Sequence, residues 1–458
     1  MPKDADTLFK EAKAVEASGR DEAAQDAYFA VLELDAQHFG ALNNLGNLFA
    51  RRGLSAAALA SYREAIRWHP NNPAGHVNLG AALLDSGDVN AAHDAFSAAL
   101  QCDANCAEAH QGLSAVYAQR GEEANAARHR RFGFADRAVV RMPFRGQGGP
   151  LANVLLLLST QGGNVDLRHV LDDRRFAVTK LFVDVCDPSI ALPSHNVLIN
   201  AIGDADLCGP ALDAAERFVA RSNARALNRP NVVRETGRVA NAKRLAGIPG
   251  VTTPRMRMVD RETLGEYPAA LITASGFRYP YLLRAPGRHT GEHLYRADDI
   301  SGLYKALEQL PGDDVLVIGF LDARGDDGNV RKYRVMFVGG ELYPLHLAIS
   351  PNWMVHYFAA DNLAEPAHRA EEARFLDDMR ATLGARAIAA LESIRDVLRL
   401  DYGGIDFGLD REGNVLAFEA NATMTIPQEP SEAIWSYRRP AIHRVLDAVE
   451  SLIALSVS

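Results

Sequence analysis

Four glycines, Gly19, Gly53, Gly87 and Gly121, stand 34 residues apart, and no other feature of the 458-residue chain narrows its fold so far. Further columns keep the same register: Ala24, Ala58, Ala92 and Ala126; Ala12, Gly46, Gly80 and Ser114; Val15, Phe49, Leu83 and Tyr117; and Tyr28, Tyr62 and Phe96. A fixed period of this length marks stacked copies of one supersecondary unit. Small residues let paired helices approach closely, the aromatic fills the space above them, and each glycine permits the turn between helices.

The pattern resembles the tetratricopeptide repeat, in about four copies over residues 4 to 135. The tryptophan of the family's first helix is replaced by Leu42, His76 and His110, and its closing proline is kept at Pro70 but replaced by Ala36 and Ala104. The resemblance implies an all-α superhelix over residues 1–135 whose concave face binds a peptide or protein substrate. A rigid spacer or a dimerisation surface is the plainer alternative, which leaves a homodimer open. Asn43, Asn44, Asn47 and Asn78 lie on the first helices, either as contacts to a peptide backbone or as a solvated polar face. Residues 1–135 hold 12 Lys and Arg against 17 Asp and Glu, which favours a basic or neutral partner. Cys102 and Cys106 read as two small buried side chains rather than a metal pair, and four cysteines are too few for a disulfide framework.

Across the chain, 49 Lys and Arg face 58 Asp and Glu, a net charge of −9 that argues against a broad basic surface for nucleic acid. No run approaches the roughly 18–20 uninterrupted apolar residues of a membrane span. The opening Met1-Pro2-Lys3-Asp4-Ala5-Asp6 lacks the charged-then-apolar pattern of a secretory signal. The expectation is a cytoplasmic protein with neither nucleic acid nor membrane as partner.

Beyond a connector at 136–150, with Gln147 to Pro150 as a hinge, short apolar runs alternate with helical stretches. Strands are expected at 154–159, 177–185 and 196–201, then a helix at 209–221, the alternation of an α/β unit. A helix over 233–246 carries Arg238 and Lys243. A strand at 279–284 ends on Arg284 and runs into Ala285-Pro286-Gly287-Arg288-His289-Thr290-Gly291, a loop able to wrap phosphate oxygens with its backbone N–H groups. Residues 361–399 read as an amphipathic helical insert.

The most informative segment runs from Asp401 to Ala422, two strand-like runs flanking Glu412-Gly413. A hairpin centred there sets Asp406 opposite Glu419, with Asn421 on the same face. Ile405, Phe407 and Leu409 against Leu416, Phe418 and Ala420 form the core face. Like charges directly opposed on a sheet repel, so two carboxylates and an amide converging there make sense around Mg²⁺, which prefers oxygen ligands.

Here the sequence resembles the ATP-grasp superfamily of ATP-dependent carboxylate ligases, over about residues 150 to 450. The resemblance implies a multidomain chain: the repeat superhelix, then an α/β (α+β) ATP-grasp fold with an N-terminal subdomain at 151–230, a central subdomain at 231–310 and a C-terminal subdomain with the magnesium site at 311–458. On this match Asp406, Glu419 and Asn421 hold the metal. Arg284 stands where most members carry Lys before the flexible phosphate loop, with Thr290 and Gly291 in that loop. Arg238, with Lys243 as runner-up, is the other basic residue at the nucleotide. Gly319, Phe320 and Leu321 correspond to the strand that reads adenine, and Asp322, in competition with Asp326 and Asp327, to the ribose contact. Arg334 points to the transferred phosphate or acyl phosphate, and His346, in a group with Ser350, Asn352, Trp353 and His356, is a candidate general base. His346 alternates with Leu345 and Leu347 and is expected to face away from the core.

The implied activity is ATP- and Mg²⁺-dependent activation of a small-molecule or peptide carboxylate as an acyl phosphate, captured by an amine. A kinase on the same fold, or a repeat adaptor switched by nucleotide, are the alternatives.

Overall fold

The computed structural model describes residues 4–268, 276–286, 293–355, 365–427 and 432–457. Contacts divide the chain into two compact units, Met1–Ala138 and Val139–Ser458.

Within the first unit the described residues form eight helices: α1 (Ala5–Ala17), α2 (Asp21–Leu34), α3 (Phe39–Arg51), α4 (Ser55–Trp68), α5 (Pro73–Asp85), α6 (Val89–Cys102), α7 (Ala107–Gln119) and α8 (Glu123–Gly133). They pack as antiparallel neighbours in chain order. Gly19, Gly53, Gly87 and Gly121 all take positive φ, between 71° and 84°, at the turn inside each pair. The small-residue column is needed for contact: a Cβ on Gly46 would stand 2.3 Å from the Tyr62 ring, and one on Gly80 would stand 2.9 Å from Phe96. Tyr28, Tyr62 and Phe96 are correspondingly buried. At the positions where the repeat usually has tryptophan, His76 and His110 both place Nε2 against a carbonyl six residues back, Pro70 O at 2.8 Å and Ala104 O at 3.1 Å.

The second unit contains three sheets among the described residues. The first is built from β1 (Val139–Arg141), β2 (Ala152–Leu158), β3 (Phe176–Phe182), β4 (Val197–Asn200) and, after α9 (Gly209–Val219), β5 (Arg225–Leu227). Its order is β1-β3-β2-β4-β5, with all pairings parallel except β1 on β3. Strand β1 lies inside 136–150, so part of that stretch is sheet.

The single helix expected over 233–246 is two, α10 (Pro230–Arg234) and α11 (Arg238–Leu245). Thr236 Oγ1 donates to Val233 O at 2.7 Å and closes the first. The second starts where Asp206 reaches in: its Oδ2 accepts from Arg238 N at 2.9 Å, and a Cβ on Gly237 would meet Asp206 Oδ1 at 2.6 Å. A carboxylate at a helix N-terminus satisfies an otherwise unpaired amide.

Next come β6 (Val251–Thr252), β7 (Met256–Asp260), α12 (Arg261–Glu266), β8 (Tyr281–Arg284), β9 (Leu294–Ala297) and β10 (Asp314–Gly319), with a helix Ile300–Gln309 before β10. Strands β7-β10-β8-β9 form the antiparallel middle sheet, so β10 pairs there rather than with the strands that follow it. That sheet has its own core, including Phe277, Tyr281, Leu283, Leu303, Val315 and Val317.

The third sheet joins β11 (Val330–Val338), β12 (Glu341–Ser350), β13 (Tyr402–Leu409) and β14 (Val415–Asn421) to β6, in the order β12-β11-β13-β14-β6. Helices Pro366–Asp377 and Met379–Leu398, the second broken at Gly384, occupy most of the expected insert; 361–364 lie outside the described residues. A second core spans the first and third sheets and the helix Arg439–Ala454, through residues such as Leu156, Ile199, Met336, Leu345, Ile442 and Leu452. Asn228 reinforces that junction: its Nδ2 donates to Tyr402 O at 2.7 Å and its Oδ1 accepts from Tyr402 N at 2.9 Å, while Asn200 Nδ2 donates to Asn228 O at 2.9 Å.

Candidate functional site

Four neighbouring strands of the third sheet place one polar residue each in a row. In register, His346 on β12 faces Arg334 on β11, Arg334 faces Asp406 on β13, and Asp406 faces Glu419 on β14. The pairing of Asp406 with Glu419 is the one the hairpin symmetry predicts. Beyond it the register slips by one: Phe407 faces Ala417 and Leu409 faces Val415, so Phe418 is the extra residue of a bulge. Phe418 therefore does not join Ile405 and Phe407 as expected; half-buried, it packs beside Leu321 and Ala323.

Arg334 grips Asp406 as a fork, Nε to Oδ1 at 2.6 Å and Nη2 to Oδ2 at 2.8 Å. Lys332, two residues back and so on the same face of β11, places Nζ 3.0 Å from Asp406 Oδ2. Burial works to raise the Asp406 pKa, but the charges of Arg334 and Lys332 and the Arg334 hydrogen bonds outweigh it and hold the carboxyl well below the usual carboxylate range.

On the β14 side, Arg238 Nη2 donates to Glu419 Oε1 at 2.8 Å, and Asn421 Nδ2 donates to the same oxygen at 2.9 Å. Asn421 Oδ1 accepts from Thr423 N and Oγ1. Asn241, one turn after Arg238 on α11, is buried and donates to Ala420 O, fixing the helix to the strand. Arg284, at the end of β8 in the middle sheet, is buried; burial and then the charge of Arg238 push its guanidinium down to about 10, against the pull of Glu419 and Asp204. Acidic Asp204 and Asp206 lie behind this group, and burial raises Asp206.

The other expected residues fall differently. Lys243 is exposed, five residues along α11 from Arg238 and on another face of that helix. Gly319 gives its N–H to Arg255 O at 2.8 Å, so that amide is already committed within the fold. Phe320 lies under the Arg296 guanidinium, 4.6 Å away, and 6.2 Å from Trp353. Leu321 is packed, and Asp322 is exposed beside Arg324. Gly319 faces Tyr281 while Arg284 faces Leu316, which puts these residues at the far end of the β8–β10 ladder from Arg284. Thr290, Gly291 and His356 lie outside the described residues.

His346 does not face away from the core: it is 2% exposed. Leu345 and Leu347 are buried beside it, because β12 is covered on both faces here. Burial, and then the charge of Arg334, hold its imidazole well below the usual 6.5. The unfolded chain takes up this proton near that value and the folded chain does not. Stability is therefore in full above about pH 6.5 and declines as pH falls below it, at up to about 1.4 kcal/mol per pH unit for one proton. Urea unfolding at about pH 7 and about pH 5 should show a shallower decline for His346→Gln than for the parent chain; equal declines would remove His346 as the cause.

Lys332 and Asp206 are the site residues that sequence reasoning missed. Lys332 alternates with Arg334, a signal that a period-two reading of β11 contains. Asp206 acts on a residue 32 positions away, with no local pattern. A cleft of about 860 Å³ lies elsewhere, lined by residues including Arg225, Gly340, Arg395, Asp401 and Leu455, and none of the expected site residues borders it. Among the described residues no group of three or more His, Cys, Asp or Glu could hold a metal alone, and no helix is long and apolar enough to cross a membrane.

In the helical unit, Asn44 Nδ2 donates to Tyr28 OH at 3.0 Å and ties one repeat to the next, while Tyr62 OH donates to Asn47 Oδ1 at 2.8 Å and ties the two helices of one repeat. Asn78 Nδ2 donates to Asn43 Oδ1 at 2.8 Å, bridging α5 and α3. Cys102 and Cys106 are free thiols, the second buried.

Comparison with known proteins supports the repeat assignment. The tetratricopeptide repeat family profile matches residues 50–121. The TPR repeat-containing thioredoxin TTL4 of Arabidopsis thaliana is 44% identical over 84 residues, 18% of this chain and 12% of TTL4. Biotin carboxylase 2 of Bacillus subtilis (strain 168) is 27% identical over 210 residues, 45% of this chain and 44% of that protein. This chain thus spans less than half the length of either curated relative. A crystal structure of MamA aligns at 24% identity over 28% of this chain and 74% of its own, with a TM-score of 0.26. A thermophilic TPR protein of Thermus thermophilus aligns at 21% identity over 29% of this chain and 73% of its own, with a TM-score of 0.27. The N-terminal region is a helical array of tetratricopeptide repeats, followed by a mixed α/β region with several sheets.

Proposed function

We propose that the α/β unit is an ATP-grasp-type ligase that uses ATP to activate a carboxylate for attack by an amine, and that the repeats recruit the peptide or protein substrate. The observation that carries this reading is the row of charges that Arg334, Asp406 and Glu419 form across neighbouring strands, closed by Arg238 of α11 on Glu419, with buried Arg284 of the middle sheet close enough to feel the charges of Arg238 and Glu419. Two guanidiniums brought close at a buried position are poised for a dianionic group such as phosphate, which accepts bidentate hydrogen bonds. The likeness to biotin carboxylase 2, over a stretch longer than the whole helical unit, is consistent with it.

Asp406 and Glu419 offer carboxylate oxygens on adjacent strands, which fits Mg²⁺ completed by phosphate oxygens and water, and the Asn421 carbonyl would join them by giving up its hydrogen bonds from Thr423. When bound there, magnesium supplies neutralisation of phosphate charge. The chain's own residues do the rest. Arg284 and Arg238 hold the phosphate oxygens, and Asp206 fixes Arg238 through its backbone. Arg334, forked onto Asp406, adds positive charge beside the transferred group. A substrate carboxylate oxygen attacks the terminal phosphorus and ADP leaves; an amine then attacks the acyl carbon, expels phosphate and loses a proton. Positioning and charge neutralisation suffice for such steps without a protein nucleophile.

Calorimetry with Mg²⁺ and ADP should show binding by the parent chain, weakened at least about tenfold in Arg284→Met. No binding by the parent chain would sink the proposal. With candidate peptides and amines, ADP release accompanied by a product lighter by one water than its two precursors identifies ligation; gain of a phosphoryl group would identify a kinase instead.

A further inference from the structure

Asp406 carries more positive charge than it needs. Arg334 alone satisfies both carboxylate oxygens in a fork, yet Lys332 stands 3.0 Å from one of them. The two cations are held differently. The Arg334 guanidinium is fixed by two parallel hydrogen bonds, directly opposite Asp406 in register. Lys332 sits diagonally, opposite Ala348 on β12, and reaches Asp406 with the tip of a flexible four-carbon chain whose charge is a compact point. Its level on β11 lies beside the apolar cluster of Ala323, Ala348 and Phe418, and its carboxylate partner among the described residues is Asp406. Of the groups on Asp406, Lys332 is the one that can leave while the strand pairing and the Arg334 fork stay in place.

We propose that Lys332 is a positioning residue: it serves as the resident counter-ion of Asp406 in the empty protein and exchanges that place for a divalent cation when nucleotide arrives, moving its own charge onto the phosphates. The inference rests on the reading of the site as a nucleotide and magnesium site. Its physical basis is charge. A divalent cation approaching Asp406 meets an ammonium at contact distance in a poorly solvated site, where like charges repel strongly. A phosphate chain entering beside Lys332 gives that ammonium an anionic partner and removes the repulsion. Metal and nucleotide therefore load together, and metal alone is kept off.

The signature is a pair of effects of opposite sign. Mn²⁺ binding without nucleotide, read by electron paramagnetic resonance, should be about tenfold tighter in Lys332→Met than in the parent chain, because the competing charge is gone. ADP binding without metal, in EDTA and read by calorimetry, should be about tenfold weaker in the same variant. Lys332→Arg, which keeps the charge, should restore both towards the parent values. A side chain that only supports the fold would weaken both together, and that result, or no change in either, overturns the role of Lys332. If the parent chain binds neither ADP with Mg²⁺ nor Mn²⁺ in the presence of ADP, the nucleotide reading itself falls.

Discussion

Asp406→Asn should cost the α/β unit about 3–5 kcal/mol of stability and abolish nucleotide-dependent turnover. The substitution keeps the shape of the side chain but removes the charge that Arg334 and Lys332 both approach. Asp406 is 3% exposed, so water cannot take over as partner, and two cations are left facing each other over a neutral amide. Loss of the charge also removes a pH dependence. The depressed carboxyl contributes stability that is present above its ordinary value of 3.8 and lost as pH falls below it. The parent chain should therefore weaken in acid more steeply than the variant. Removing all three charges, Asp406→Leu with Arg334→Met and Lys332→Met, should recover much of the stability, because desolvation of the charges disappears with them, but no turnover. Urea unfolding and ADP release check the two halves separately. A stable, active Asp406→Asn protein would contradict both the ion-pair and the metal assignments.

The second large effect is expected far from any charge. Asn228 is the first of two residues between β5 and α10, with φ of +50°. Its amide pairs with both backbone groups of Tyr402 in a buried setting, in the manner of one extra ladder rung between the first and third sheets. Asn228→Ala strands the N–H and C=O of Tyr402, at about 1–3 kcal/mol each. It also places a residue without a local hydrogen-bonding side chain in the left-handed region, which adds about 1–2 kcal/mol. Asn228→Gly keeps the first loss and relieves the second, so the difference between the two variants isolates the backbone contribution. Thermal unfolding of the three proteins provides the measurement. Equal stability of parent and Asn228→Ala would show that the clasp contributes nothing.

Legibility in the sequence followed the range of the interactions. The helix pairs were readable because spacing alone places Gly53 at a turn and Gly46 under Tyr62. The pairing of Asp406 with Glu419 was readable because a hairpin's turn fixes its register within a few residues. The bulge at Phe418 was not, since it answers to Ala323, a loop residue whose Cβ lies 2.4 Å from where a Cβ on Gly408 would be. The break between α10 and α11 was hidden for the same reason: Val233 to Ala246 has helical character throughout, and the interruption is set by Asp206. Lys332 looked like any strand lysine, and the pairing that gives it meaning spans two strands, as does that of Arg334 with Asp406, 72 residues apart. His346 was misjudged because alternation with leucines says which face it shares, not whether that face is covered.

The separate core of the middle sheet has a thermodynamic consequence. Arg284 is anchored in that core, whereas Asp406 and Glu419 belong to the sheet that shares its core with β2, β4 and the helix Arg439–Ala454. Each body is held together by its own apolar contacts, so a change in their relative orientation would unpack neither core. An anion that touches both must restrict that freedom, and part of its intrinsic affinity goes into lost configurational entropy. A substitution such as Leu303→Ala, deep in the middle sheet and touching no ligand, would then alter affinity while leaving every direct contact as it was.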